Sequence, residues 1–128
     1  MIALDSDILI DLFNGNQGAV GKIRKIEEKY GFIFVTTSNI FEILRGMRHH
    51  RSNITFLHHF FNNLNILGFG VKESLKASEI AGTLDKKGEF VGIGDVLIAG
   101  TLLSYQISKI VTRNKSHFEK CGLKVEVY

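Results

Sequence analysis

Five short stretches of the chain are almost continuously apolar: residues 2–4 (IAL), 32–36 (FIFVT), 65–69 (NILGF), 109–112 (KIVT) and 124–127 (KVEV). Their β-branched and aromatic content suits strands covered on both faces. Between them the apolar positions recur at helical spacing. Val20, Ile23 and Ile26 lie in 17–31, where Gly31 offers a stop. Further helical patterns run through 39–50, through 53–64 with Ile54, Leu57, Phe60, Phe61 and Leu64, and through 72–88 with Leu75, Ile80 and Leu84 ahead of Gly88. Another spans 95–106, and Ser6-Asp7 leads from the first run into a helix. Strands alternating with helices predict an α/β fold: three layers, α/β/α, around a five-stranded, mostly parallel sheet with right-handed crossovers. No linker, repeat or low-complexity tract interrupts the pattern, so residues 1–128 are read as a single domain.

In a parallel sheet, sites form where the carboxyl ends of strands meet helix N-termini. Four polar residues fall at such places. Asp5 ends the first run, while its neighbour Asp7 is read as the helix N-cap, and Asp11, one turn on, as facing solvent or supporting the helix start. Glu42 completes Asn39-x-x-Glu42, the spacing of a capping box. A cap at Thr37 or Ser38 would instead leave Glu42 one turn inside, free to point over the strand ends. Asp95 precedes an apolar helix after two glycines, where it serves either as a cap or as a site acid. Asn114 follows the strand that ends at Thr112, a place where asparagine is ordinarily a turn residue.

If the three acids meet, a cation is needed. Two carboxylates about 4 Å apart repel by roughly 4 kcal/mol at an effective dielectric near 20, and three cannot all stay ionised without Mg²⁺, Mn²⁺ or protonation. Hard oxygen donors favour Mg²⁺ or Mn²⁺ over zinc, and no Cys/His set at zinc spacing competes. The histidine pairs at 49–50 and 58–59 lack the i,i+4 relation of helical ligands and are read as surface. The Phe-rich 56–61 is read as core or dimer interface rather than a base-stacking platform, and His117 as a surface residue in a short turn.

Charge and composition narrow the partners. Net charge +3 and pI near 9.1 permit a polyanion, with bases grouped at Lys22-Arg24-Lys25, 48–51, Lys86-Lys87 and Arg113-Lys115-Lys120. The single Cys121 excludes an internal disulfide and suits a reducing cytoplasm. No apolar run is long enough to span a bilayer, and an acid at position 5 argues against a secretory leader.

Four stretches in this order, LDSDILIDLF, TTSNIFEILRG, GIGDVLIAGTLL and IVTRNKSHFEKCGLKVEVY, resemble the PIN-domain ribonucleases, in particular the VapC-type toxins of prokaryotic toxin–antitoxin pairs. The resemblance covers essentially the whole chain. It implies a Mg²⁺- or Mn²⁺-dependent endoribonuclease, a homodimer, and inhibition by a cognate VapB-type antitoxin. It places Asp5, Glu42 and Asp95 as the core acids that hold metal. Asn114 stands where many members carry a fourth acid or an asparagine, with Thr112 beside it and Ser6 at a small-hydroxyl position. Ser6, Arg45, Thr112, Arg113 and Lys115 are the candidate substrate contacts. Two rivals remain: a non-catalytic PIN-like module that binds RNA or protein, and a haloacid-dehalogenase-like phosphatase suggested by the D-x-D of LDSD. The latter motif wants Thr or Val where this chain has Leu9.

Overall fold

The computed structural model describes residues 1–46, 58, 60–62 and 64–128. Its elements run β1 (Ile2–Leu4), α1 (Ser6–Phe13), α2 (Gln17–Tyr30), β2 (Ile33–Thr36), α3 (Thr37–Gly46), β3 (Asn65–Leu67), α4 (Val71–Lys87), α5 (Ile93–Ser104), β4 (Lys109–Val111), α6 (Lys115–Lys120) and β5 (Lys124–Glu126). The five strands form one sheet in the order β3-β2-β1-β4-β5, and every neighbouring pair is parallel. The expected mostly parallel sheet is parallel throughout.

Alternation along each strand sorts the apolar side chains between two helical layers. Ile2, Leu4, Ile33 and Val35 join Ile8, Leu9, Ala19, Ile23, Ile26 and Ile43 from α1, α2 and α3 on one face. Ala3, Ile110 and Leu67 join Ala77, Leu84, Val96, Ile98, Ala99, Leu102 and Phe118 from α4, α5 and α6 on the other. This is the three-layer α/β/α architecture, and it explains why the central strands β1, β2 and β4 read as apolar runs. Phe61 is buried and Phe60 packs edge-on against Phe13 at 4.8 Å, so these two phenylalanines belong to the core side of the segment. The rest of the helical patterns over 47–57, with His49, His50 and His59, lies outside the described residues.

Helix boundaries depart from the sequence reading in informative ways. Gly31 and Gly88 do close α2 and α4. Leu84 is buried and Ile80 packs on the core as expected, but Leu75 is 65% exposed alongside Val71 at 79%, and Ala77 is buried. The six-residue α6 was not expected, because KSHFEK offers one buried apolar anchor, Phe118.

The chain steps from β1 outward to β2 and β3, then returns to β4 on the other side of β1. The direction of winding therefore reverses between β1 and β4, where their carboxyl ends leave a crevice. Asp5 and Thr112, the residues that follow these two strands, stand at its mouth.

Candidate functional site

Asp5 is fixed by the sheet before any side chain acts. Its amide donates to the Val111 carbonyl at 3.0 Å, extending the β1–β4 ladder by one residue. The backbone stays extended and the carboxylate Oδ1 accepts the Ser6 amide at 2.8 Å, so Asp5 caps α1. Asn39 Nδ2 donates to the same oxygen at 3.3 Å, and the Thr112 hydroxyl donates to Oδ2 at 2.7 Å. The residue is 4% exposed. Burial pushes its pKa up to about 7, helped by the negative charges of Asp7 and Glu42 and opposed by the bonds from Thr112 and the Ser6 amide. Among the described residues no ion pair involves Asp5.

That geometry corrects the reading of its neighbours. Asp7 is not the N-cap, because Asp5 already takes the first free amide and α1 starts at Ser6. Asp7 sits in the first turn, accepting the Ile8 amide at 2.6 Å on Oδ1 and the Arg113 amide at 2.8 Å on Oδ2. Asp11 does not face solvent: its Oδ2 accepts from the Tyr128 hydroxyl at 3.0 Å and lies 3.1 Å from an Arg113 guanidinium nitrogen.

Glu42 is freed from capping by a reciprocal pair one turn earlier. The Asn39 amide donates to Thr36 Oγ1 at 3.2 Å, and the Thr36 amide donates to Asn39 Oδ1 at 2.9 Å. The helix is thus capped at Thr36, ahead of Thr37 and Ser38, and Glu42 lies one turn inside, as the second sequence reading has it. Its Oε2 accepts from the Ser6 hydroxyl. Its Oε1 fills the space beside Gly94, where an added Cβ would lie 2.7 Å away. Ser6 Oγ in turn accepts from Asn39 Nδ2 at 3.0 Å. Asp5, Ser6, Asn39 and Glu42 therefore form one connected polar group from β1, α1 and α3.

Asp95 is the third residue of α5, not its cap, since the helix begins at Ile93 with Gly92 at the cap. Its Oδ2 lies 2.7 Å from His117 Nδ1. Among the described residues no three of His, Cys, Asp and Glu are gathered tightly enough to hold an ion. Asp5 and Glu42 are brought together through Ser6, while Asp95 enters from α5 and pairs with α6. Asn114 is exposed at the start of α6, and its amide donates to Thr112 Oγ1 at 3.0 Å. Arg45 is exposed one turn beyond Glu42; Lys115 is exposed and 3.8 Å from Glu119. Arg113 is engaged with Asp7 and Asp11, its guanidinium 5.4 Å from the Tyr128 ring centre.

A family model described as the PIN domain matches residues 2–123. The chain belongs to the PIN domain family. Solved structures agree on this fold. A VapBC2 complex from Rickettsia felis bound to a fragment of promoter DNA superposes with TM-score 0.84 at 23% identity, covering 100% of this chain and 99% of that one. DNA-bound VapBC from Salmonella typhimurium gives TM-score 0.81 at 22% identity over 98% and 96% of the two chains. VapBC-1 from nontypeable Haemophilus influenzae gives 0.77 at 21% identity over 99% and 98%. No curated protein matches the sequence.

Within this PIN domain, sequence reasoning missed two participants. Asn39 was seen only as a cap, although Thr36-x-x-Asn39 has the spacing of a reciprocal helix start. His117 was placed in a turn, because nothing local signals its approach to Asp95, 22 residues earlier.

Proposed function

We propose that this chain is a Mg²⁺- or Mn²⁺-dependent endoribonuclease, the toxin component of a VapBC-type toxin–antitoxin pair acting in the cytoplasm. The observation that carries it is the buried Asp5 carboxylate at the topological switch point. It is linked through Ser6 to Glu42, and among the described residues no cationic side chain pairs with it. PIN domains are in general nucleases, which supports the reaction class. The carboxylate oxygens of Asp5 and Glu42, joined by the Ser6 hydroxyl, are hard donors of the kind a divalent ion takes. Asp5 and Asp95 would hold the ion, with Glu42 at a bound water and Asn114 completing the outer positions.

Such an ion lowers the pKa of water and stabilises charge growing on phosphoryl oxygens. The chain's own residues do the placing. Ser6 and Asn39 link and orient the Asp5 and Glu42 carboxylates, and Thr112 fixes the second oxygen of Asp5. The exposed Arg45 and Lys115 would meet the RNA backbone. A VapB-type antitoxin is the proposed protein partner, supported by the VapBC complexes among the structural neighbours. A homodimer is supported by large apolar side chains left exposed at Val71, Leu75 and Ile93. No helix among the described residues is long and apolar enough to cross a membrane.

One observation favours a second reading. Asp95 is turned to His117, so the acids are not gathered in advance, as a non-catalytic RNA- or protein-binding PIN module would allow. RNA cleavage separates the two. Wild-type protein should cut RNA only with Mg²⁺ or Mn²⁺, and Asp5→Asn should lose at least about 100-fold in rate while still folding. No cleavage by either protein, with or without metal, would leave the binding module.

A further inference from the structure

The acidic face of α1 is not used by the site as described, yet it is not idle. Asp7 and Asp11 stand four residues apart on one side of the helix, and both reach the loop that follows β4. Asp7 Oδ2 accepts the Arg113 amide at 2.8 Å and lies 3.8 Å from Arg113 Nε. Asp11 takes the other end of the same guanidinium at 3.1 Å and the Tyr128 hydroxyl at 3.0 Å. The Tyr128 ring lies against the guanidinium at 5.4 Å. Burial and the charge of Asp7 push the Tyr128 hydroxyl well above its ordinary pKa, so it stays a donor.

The residue inside this clamp is Thr112, which is fully buried. Its hydroxyl has one proton and two acidic neighbours. Asp5 Oδ2 at 2.7 Å takes it in preference to Asp7 Oδ2 at 3.3 Å. The hydroxyl oxygen meanwhile accepts the Asn114 amide at 3.0 Å. Thr112 is therefore oriented only if the backbone on both sides of residue 113 is held, and α1 holds it.

We infer that Asp7, Asp11 and Arg113 are positioning residues that clamp the loop after β4 so that the Thr112 hydroxyl is delivered to one oxygen of Asp5. This rests on the reading of Asp5 as a cation ligand. It assigns Arg113 a role in shaping the ligand rather than in touching RNA. Partners that orient a ligating carboxylate characteristically matter for metal affinity by about 10–100-fold, without themselves meeting the ion.

The test is a double-mutant cycle on Mn²⁺ affinity by calorimetry, joined to amide hydrogen exchange of the metal-free protein. Arg113→Met, which keeps the aliphatic stem, should weaken Mn²⁺ about tenfold or more and speed exchange at the Asn114 amide. Thr112→Val should weaken Mn²⁺ as much, and the double variant should bind no more weakly than Thr112→Val alone. Arg113→Lys, which keeps the charge beside Asp11, should recover part of the loss and covers the case in which Arg113→Met folds poorly. Additive losses, or wild-type Mn²⁺ affinity and exchange in Arg113→Met, would overturn the inference. If wild-type protein binds no Mn²⁺, the exchange data decide alone: faster exchange in Arg113→Met keeps the clamp and removes the cation reading, and unchanged exchange removes the clamp.

Discussion

The Asp5 carboxyl takes N–H donors on Oδ1 and the Thr112 O–H on Oδ2, yet it is buried, and among the described residues no ion pair balances it. Its pKa of about 7 in the folded chain lies above the ordinary 3.8, so the folded state holds the proton more tightly than the unfolded one. The sign follows by linkage: Asp5 favours folding fully below about pH 4, and that contribution fades as pH rises through about 7. Urea unfolding of metal-free protein should therefore show stability declining across this window, and Asp5→Asn should flatten the decline. Parallel pH curves for the two proteins would contradict it. A bound cation reverses the preference, because it requires the ionised form, so Mn²⁺ should stabilise more at pH 8 than at pH 5. At this scale the sequence was legible for the identity of Asp5 and less so for its neighbours. The sequence reading put the cap on Asp7, whereas Asp5 takes the Ser6 amide on one oxygen and on the other the Thr112 hydroxyl, 107 residues away, which no local pattern contains.

Two glycines on α5 separate stability from site geometry at the scale of elements. A Cβ on Gly100 would lie 2.6 Å from Ala77 Cβ and 2.7 Å from its Cα, so α4 and α5 touch there through backbone. Gly100→Ala should cost about 1–3 kcal/mol by forcing the helices apart. Gly94→Ala meets only the flexible end of Glu42 and should cost less than about 1 kcal/mol. It must, however, move the Glu42 carboxylate, so RNA cleavage should fall about tenfold or more. Equal effects of both substitutions on unfolding and on cleavage would refute this division. The central strands β1, β2 and β4 were readable because burial on both faces leaves an apolar run, whereas the edge strands β3 and β5 are partly exposed. Helix starts were not, since Thr36, Thr37, Ser38 and Asn39 all suit a cap, and the reciprocal Thr36–Asn39 bonds chose among them. The missed α6 depends on Phe118 entering the core laid down by α5.

Across the whole molecule, the parallel order β3-β2-β1-β4-β5 puts the ends of β1 and β4 side by side and brings α3 and α5 over them. The α/β class and a five-stranded, mostly parallel sheet were inferable from alternation; the strand order was not. The junctions that matter join residues 36, 107 and 22 apart, and only the assembled topology shows them. With net charge +3 and exposed Arg45 and Lys115 near the crevice, RNA affinity should fall steeply with salt. Arg45→Ala or Lys115→Ala should each lower the log–log salt slope by about 1 if that side chain meets a phosphate, and an unchanged slope would exclude it from the RNA path. The central claim, that Asp5 anchors a divalent ion, is met most directly by anomalous diffraction from Mn²⁺-soaked crystals. A peak in contact with Asp5 and Asp95 is expected, with the Asp95 carboxylate drawn away from His117. Crystals saturated with Mn²⁺ that show no peak there, and Asp5 still bonded only to Ser6, Asn39 and Thr112, would contradict it.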